Sequence, residues 1–281
     1  RVIRKIKPKS LFFENVPGFC KRYGLNLQEH LVKSLEKIGY RVASGKIFSC
    51  FYGVPQLRER FILIGVHKKF TKHESITLPP ESWTIEEINK KLTAERVIGD
   101  LNSYSEYGGG TDKELENYKK SARTPYQREM RRISGTTKKG KTMNTLIPNH
   151  TKKVQDRFRK LLEGETVESL KGTDLETKKH SQRALAADKF PKVTVVSIPD
   201  DYVHYDITMP RTFSVRECAR LQTFPDHFHF YGKRTSGGER RKFDCPQYTQ
   251  VGNAVPPNLA RTFADHILNY LVKFVSHQNL I

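Results

Sequence analysis

The chain has 281 residues, with 50 Lys and Arg against 30 Asp and Glu, a formal charge of +20. Hydrophobic residues make up 36% and mean hydropathy is −0.64, and no apolar run approaches the ~20 residues that cross a bilayer, which excludes a helical membrane protein. Four cysteines are too few for a secreted disulfide scaffold, and an isoelectric point of about 9.8 points to a polyanionic partner, nucleic acid or a membrane surface.

The chain opens on Arg1, not Met. Its first residues are basic, but Leu11-Phe12-Phe13 after Pro8 is too short for the core of a signal peptide. The start therefore reads as a cut end. Residues 1–70 read as α/β. Ser10 to Phe13 is a short strand that runs into a turn at Glu14-Asn15-Val16-Pro17-Gly18. Leu25 to Ile38 carries apolar residues at helical spacing, and Gly39 ends it. Arg41 to Phe48 and Phe61 to Val66 follow as strands. Residues 71–190 lose apolar density and gain Lys, Arg, Gly, Ser and Thr, and within them Val154 to Leu162 spaces as a short basic helix. Residues 191–281 regain regularity, with Val193 to Ile198 as a strand. Ser214 with Glu217 forms a capping box for a helix through Leu221, and Pro257 opens an amphipathic closing helix.

Four stretches are candidates for chemistry. Glu14 and Asn15 stand at the end of a strand, where open α/β sheets place ligands. In Gln56-Leu57-Arg58-Glu59-Arg60, two Arg at i and i+2 on a strand share one face and suit an anionic or carbonyl-bearing ligand. Arg216-Glu217-Cys218-Ala219-Arg220-Leu221-Gln222 is, by itself, a capped structural helix. Gly252-Asn253-Ala254-Val255-Pro256-Pro257 reads as a turn before a helix N-terminus, with backbone N–H groups exposed near a cofactor. Taken singly, each also suits an ordinary loop acid, strand entry or turn.

In this order and spacing the four resemble the C5-cytosine DNA methyltransferases. That family has a Glu-Asn-Val motif, a Gln-x-Arg-x-Arg motif, an Arg-Glu-Cys-Ala-Arg-Leu-Gln-x-Phe-Pro motif and a Gly-Asn-Ala-Val-Pro-Pro motif. A variable target-recognition region lies between the second and third. Asn149-His150-Thr151 also resembles a recurring stretch of that region. The resemblance implies the C-terminal part of a Rossmann-like, S-adenosyl-L-methionine-dependent methyltransferase sheet plus an irregular recognition region. It divides the chain into a partial catalytic domain (1–70), the recognition region (71–205) and a return to the catalytic domain (206–281).

The resemblance also implies roles. A thiolate adds to cytosine C6 and negative charge builds toward N3 and O2. Glu14 matches the acid beside N3, and Arg60 the guanidinium on O2. Arg58 steadies Arg60 or a phosphate, and Asn15 and Gln56 support the site. Asn253 and Ala254 match the edge of the S-adenosylmethionine pocket. Double-stranded DNA is the expected partner, with the target base flipped out of the duplex. Arg128, Arg131, Arg132, Lys138, Lys139, Lys141, Lys152 and Lys153 are expected on its phosphates.

The family's Gly-rich cofactor motif and its Pro-Cys nucleophile motif are absent from this sequence. Cys20, Cys50 and Cys218 do not follow a Pro, and Cys245-Pro246 has the two letters reversed. The expectation is a chain that is inactive alone, either a fragment of one longer polypeptide or a subunit completed by a separate N-terminal half. A cytoplasmic, nucleoid-associated protein of prokaryotic or phage origin is expected. The rival is a DNA-recognition subunit or remnant without catalysis. Two decoys are set aside. Gly135 to Thr142 spells a P-loop but lacks a buried strand before it, and His227-Phe228-His229 lacks further ligands at zinc spacing. No metal is expected.

Overall fold

A computed structural model of the chain describes residues 1–22, 25–71, 74–101, 118, 120–132, 142–147, 149–196, 201–235 and 243–278. The chain divides into two units. The first comprises residues 1–53, 58–83 and 257–281; the second comprises 54–57 and 84–256. The closing helix thus packs with the N-terminal segment. The helix that carries the Arg-Glu-Cys-Ala-Arg-Leu-Gln motif packs with the middle of the chain.

In the first unit, α1 (Val2–Ile6) leads into β1 (Ser10–Asn15). Two short strands, β2 (Lys21–Arg22) and β3 (Leu25–Asn26), precede α2 (Leu27–Lys37), then β4 (Tyr40–Phe48) and β5 (Glu59–His67). The apolar spacing read over 25–38 is this helix. Asn26 caps it, its side chain accepting from the Glu29 N–H at 3.2 Å, and Gly39 at φ +95° turns the chain out. The sheet order is β1-β5-β4, antiparallel throughout. These strands therefore display no parallel crossover of the Rossmann kind.

β5 is central and fully buried from Phe61 to Ile64, so it reads as a continuous apolar run rather than an alternating one. Phe61 and Leu63 pack with Leu35, Tyr40 and Cys20, and with Phe13 and Leu31 at the edge of that core. Phe12 meets Phe263 edge-on at 5.5 Å. Phe263 belongs to the last helix, numbered α9 below (Pro257–Gln278).

In the second unit the elements are α3 (Ile85–Lys91), α4 (Ala94–Ile98), α5 (Pro125–Arg131), α6 (Lys152–Leu162), the parallel pair β6 (Arg183–Ala184) and β7 (Tyr202–Val203), α7 (Val215–Leu221) and α8 (Gln247–Asn253). The basic helix expected from Val154 is α6, which buries Phe158 and Leu161 against Leu170 and Val203. The strand expected from Val193 does not form over 193–196. Val193 and Val195 are buried, but the Val195 N–H donates to the Gln56 side chain at 3.0 Å. A side-chain amide takes the place of a ladder partner. Among the described residues, no helix is long and apolar enough to cross a membrane.

The capping box of α7 forms as read. The Ser214 hydroxyl accepts from the Glu217 N–H and the Glu217 carboxylate accepts from the Ser214 N–H at 2.7 Å. Glu217 also takes both arms of Arg211 at 2.7 Å. Burial opposes its charge, but Arg211 prevails and holds its pKa at about 2. Beside it lies His204, 4% exposed, whose Nδ1 accepts from the Asp206 N–H at 3.1 Å. Burial, reinforced by the Arg211 charge, pushes its pKa down to about 4.

The unfolded chain takes a proton on His204 near pH 6.5, whereas the native state declines it until about 4. The unfolded state then binds more protons, so stability falls as pH drops through this window. The loss is of the order of 3 kcal/mol by pH 4. Urea midpoints measured between pH 7 and pH 4.5 should fall accordingly, and His204→Gln should flatten that slope.

Candidate active site

Glu14 sits one residue before the end of β1, opposite Ile62 of β5 in the antiparallel register. Arg60 lies two residues before Ile62, on the same face and diagonal to Glu14. The register therefore brings together residues 46 apart in the sequence. Arg60 Nε stands 2.9 Å from Glu14 Oε1, and Arg58 Nη2 stands 4.0 Å from the same oxygen. The side chains of Glu14 and Arg60 keep 14% and 12% of their surface in solvent, whereas that of Arg58 keeps 1%.

Desolvation weakens both guanidinium charges. Burial, with the neighbouring Arg60, lowers the pKa of Arg58 to about 10. Burial also lowers that of Arg60, opposed by Glu14. Both remain cationic at neutral pH. One carboxylate thus faces two cations in a largely dry setting, where electrostatic interactions are strong. Asn15 follows, and its side-chain oxygen accepts from the Val16 N–H at 2.8 Å, fixing the backbone as it leaves β1.

Gln56 is fully buried within the second unit. Its amide nitrogen donates to the Leu221 carbonyl at 2.8 Å and to the Gln222 side chain, while its oxygen accepts from Val195. Gln222 in turn donates to the Val251 carbonyl at 3.0 Å and the Ala254 carbonyl at 2.7 Å. Two glutamines therefore tie three of the sequence motifs into one hydrogen-bonded chain. Gln222 was visible as a motif letter, but nothing in the sequence said what it would bond.

The Gly252-Asn253 stretch corrects an expectation. It is not a turn ahead of a helix but the last turn of α8, with Ala254 as its C-cap. A helix C-terminus presents carbonyls rather than N–H groups. Asn253 is exposed, and the Ala254 carbonyl is already bonded to Gln222. Ala254 itself is half-buried, so the pair alone does not enclose a cofactor.

The charged residues of α7 are structural. Arg216 donates to the carbonyls of Met143 (2.8 Å) and Pro225 (3.2 Å). Arg220 pairs with Asp226 at 2.5 Å and Asp100 at 2.9 Å, and Asp100 also pairs with Arg131 at 2.6 Å. This corrects the expectation for Arg131. It is 5% exposed, and its guanidinium is held by Asp100 and stacked over Tyr118, so it is not placed to meet a phosphate. Arg128, Arg132, Lys152 and Lys153 are exposed. Lys138, Lys139 and Lys141 lie outside the described residues, as does most of the P-loop-like stretch.

Cys20, Cys50 and Cys218 are buried and Cys245 is exposed. Burial pushes the Cys50 and Cys218 thiols up, away from the reactive thiolate. Among the described residues, no group of three or more His, Cys, Asp or Glu could hold a metal ion.

Comparison with known proteins gives consistent matches. Residues 1–269 match the family model for C-5 cytosine-specific DNA methylase. The chain is 30% identical over 287 residues to the type II methyltransferase M.DdeI of Desulfomicrobium norvegicum, covering 96% of this chain and 65% of that protein. It is also 30% identical to M.MthTI of Methanothermobacter thermautotrophicus, covering 95% of this chain and 68% of that one. The chain thus spans about two thirds of the length of these curated relatives. A solved structure described as a DNA modification methyltransferase encoded within an E. coli prophage superposes with a TM-score of 0.69 at 21% identity, covering 96% of this chain and 72% of that one. That likeness concerns the fold alone.

Proposed function

The chain belongs to the C-5 cytosine-specific DNA methylase family, and from that premise we propose that it carries the base-activating part of a DNA (cytosine-5-)-methyltransferase. Its three-stranded sheet is then the later part of a larger Rossmann-like sheet. The methyl donor is S-adenosylmethionine and the substrate is a cytosine in duplex DNA. Asn253 and Ala254 contribute no more than an edge to the donor pocket.

The observation that carries this reading is the ion pair of Glu14 with Arg60, with Arg58 beside it. Cytosine C5 is a weak nucleophile until electron density is driven into the ring, and that density collects at N3 and O2. A carboxyl group beside N3 can donate a hydrogen bond or a proton there, and a guanidinium beside O2 holds the charge that develops. A half-buried acid between two arginines has these two functions side by side. A phosphate contact calls for cations alone, so a carboxylate held between them favours the catalytic reading.

The attacking thiol is not supplied by this chain, because none of its cysteines belongs to a Pro-Cys motif. Single-turnover incubation of the purified chain with duplex DNA and tritiated S-adenosylmethionine should leave the DNA unlabelled. Addition of a polypeptide bearing the Gly-rich and Pro-Cys motifs should label it. Labelling by the chain alone would overturn the requirement for a second part.

Lys138, Lys139 and Lys141, with exposed Arg128, Arg132, Lys152 and Lys153, are proposed to contact phosphates. Replacing Lys138, Lys139 and Lys141 by Ala should reduce the slope of log affinity against log salt by about 2 to 3. Titrations by fluorescence anisotropy at several salt concentrations measure this, and an unchanged slope removes those three lysines from the interface.

A further inference from the structure

Two large aromatic side chains of the second unit stand in solvent, Tyr231 at 72% and Phe243 at 87% exposed, while Phe228 at 46% packs against Phe224 and Phe230. Rings this open cost hydration free energy unless something covers them, and clustered exposed aromatics mark contact sites. The backbone that carries them is firmly held. Gln250 Nε2 donates to the Tyr231 carbonyl at 2.9 Å and to the Cys245 carbonyl at 2.8 Å, so one amide ties the residues on both sides together. Gln247 holds the next two positions, its side chain donating to the Gly232 carbonyl and its backbone N–H to the Lys233 carbonyl, both at 2.9 Å. Gly232, at φ +87°, bends the chain directly after Tyr231.

The surroundings are basic. Gly232 is followed by exposed Lys233 and half-buried Arg234, and Lys233 makes only a loose, 3.8 Å pair with half-buried Asp244. An exposed aromatic on a rigid turn beside two cations, in a chain of charge +20, complements a polyanion with flat bases better than an apolar protein face. We propose that Tyr231 stacks on a base step of the DNA duplex while Lys233 and Arg234 hold the flanking phosphates. The inference rests on duplex DNA being the substrate, as proposed above, and adds a contact outside the stretches assigned there. A ring wedged at a base step anchors the protein and eases local unstacking, which a base must undergo before it leaves the helix.

The test uses the full chain and a fluorescein-labelled duplex of mixed sequence, followed by anisotropy over a range of salt. Tyr231→Ala should weaken binding about tenfold with an unchanged salt slope, because stacking is not a charge effect. Tyr231→Phe should bind nearly as the parent does. Lys233→Ala combined with Arg234→Ala should lower the slope by about two. If the parent binds and Tyr231→Ala binds equally well, the stacking contact is wrong and the DNA reading stands. If the parent does not bind the duplex, both are wrong. Tyr231 is open to solvent, so its loss leaves the core intact, and unchanged circular dichroism verifies that.

Discussion

Glu14→Gln is expected to lower methyl transfer by the complete enzyme by about 10²- to 10⁴-fold. Gln is nearly the same size and can still donate a hydrogen bond to a ring nitrogen. What it cannot do is give up a proton or balance two neighbouring guanidiniums. Arg60 would lose its partner at 2.9 Å, and Arg58, whose side chain is 1% exposed, would lose the carboxylate at 4.0 Å. The larger effect is therefore placed on the chemical step, with a smaller one on stability. Glu14 contributes little to the apolar core, so the variant should fold and keep its DNA affinity within about twofold. Rates from single turnovers, set beside affinities on the same duplex, separate the two. A proportionate loss of affinity and rate would mean that Glu14 only shapes the fold.

The second large effect concerns stability. Arg220→Met is expected to cost about 3 to 5 kcal/mol, because it leaves buried carboxylates without their cation. Arg220 is fully buried, and so is Asp226, which it grips at 2.5 Å. It also bonds Asp100 at 2.9 Å and the Val97 carbonyl at 2.9 Å. Burial works against the charge of Asp226, but Arg220 outweighs it and keeps its pKa below the usual carboxylate range. Arg220 itself is held well above its ordinary value, burial being outweighed by Asp226 and then Asp100.

Because Asp226 ionises more readily in the native state, its contribution is complete above the unfolded carboxylate pKa. It fades as pH falls below about 4. Urea denaturation at neutral pH measures the loss. Arg220→Met together with Asp226→Asn should recover part of it, since the second change removes a stranded charge. No recovery would mean that packing of the arginine stem, not its charge, holds this region.

The legible parts of the chain were those where local chemistry and tertiary need agree. Ser214 carries a side chain that satisfies an open helix N–H group, and its cap forms. Phe61 to Val66 is apolar without alternation because β5 is covered on both faces. Glu14 and the two arginines could be picked out by spacing, but their meeting depends on the register of β1 against β5, which spacing does not state.

The misread parts have physical causes. Val193 to Val196 has strand composition, yet a glutamine side chain takes the backbone bond that a neighbouring strand would have made. Gly252 and Asn253 looked like a turn because both residues favour turns. They are instead carried to the end of α8, where Gln222 donates to the Val251 and Ala254 carbonyls. Arg131 reads as a surface cation because the sequence does not reveal that Asp100 faces it in the interior. Asp100 and Asp226 drew no notice for the same reason: buried ion pairs are made by residues that look individually like surface.

The central claim is that Glu14 and its arginines act on a cytosine ring to direct methylation to C5. Its most direct test is nucleoside mass spectrometry of DNA from methylation-free cells that express this chain together with a polypeptide supplying the Pro-Cys and Gly-rich motifs. The account predicts 5-methyldeoxycytidine as the only new methylated nucleoside, falling to background when the chain carries Glu14→Gln. N4-methyldeoxycytidine or N6-methyldeoxyadenosine, or 5-methyldeoxycytidine at an undiminished level with Glu14→Gln, would contradict it.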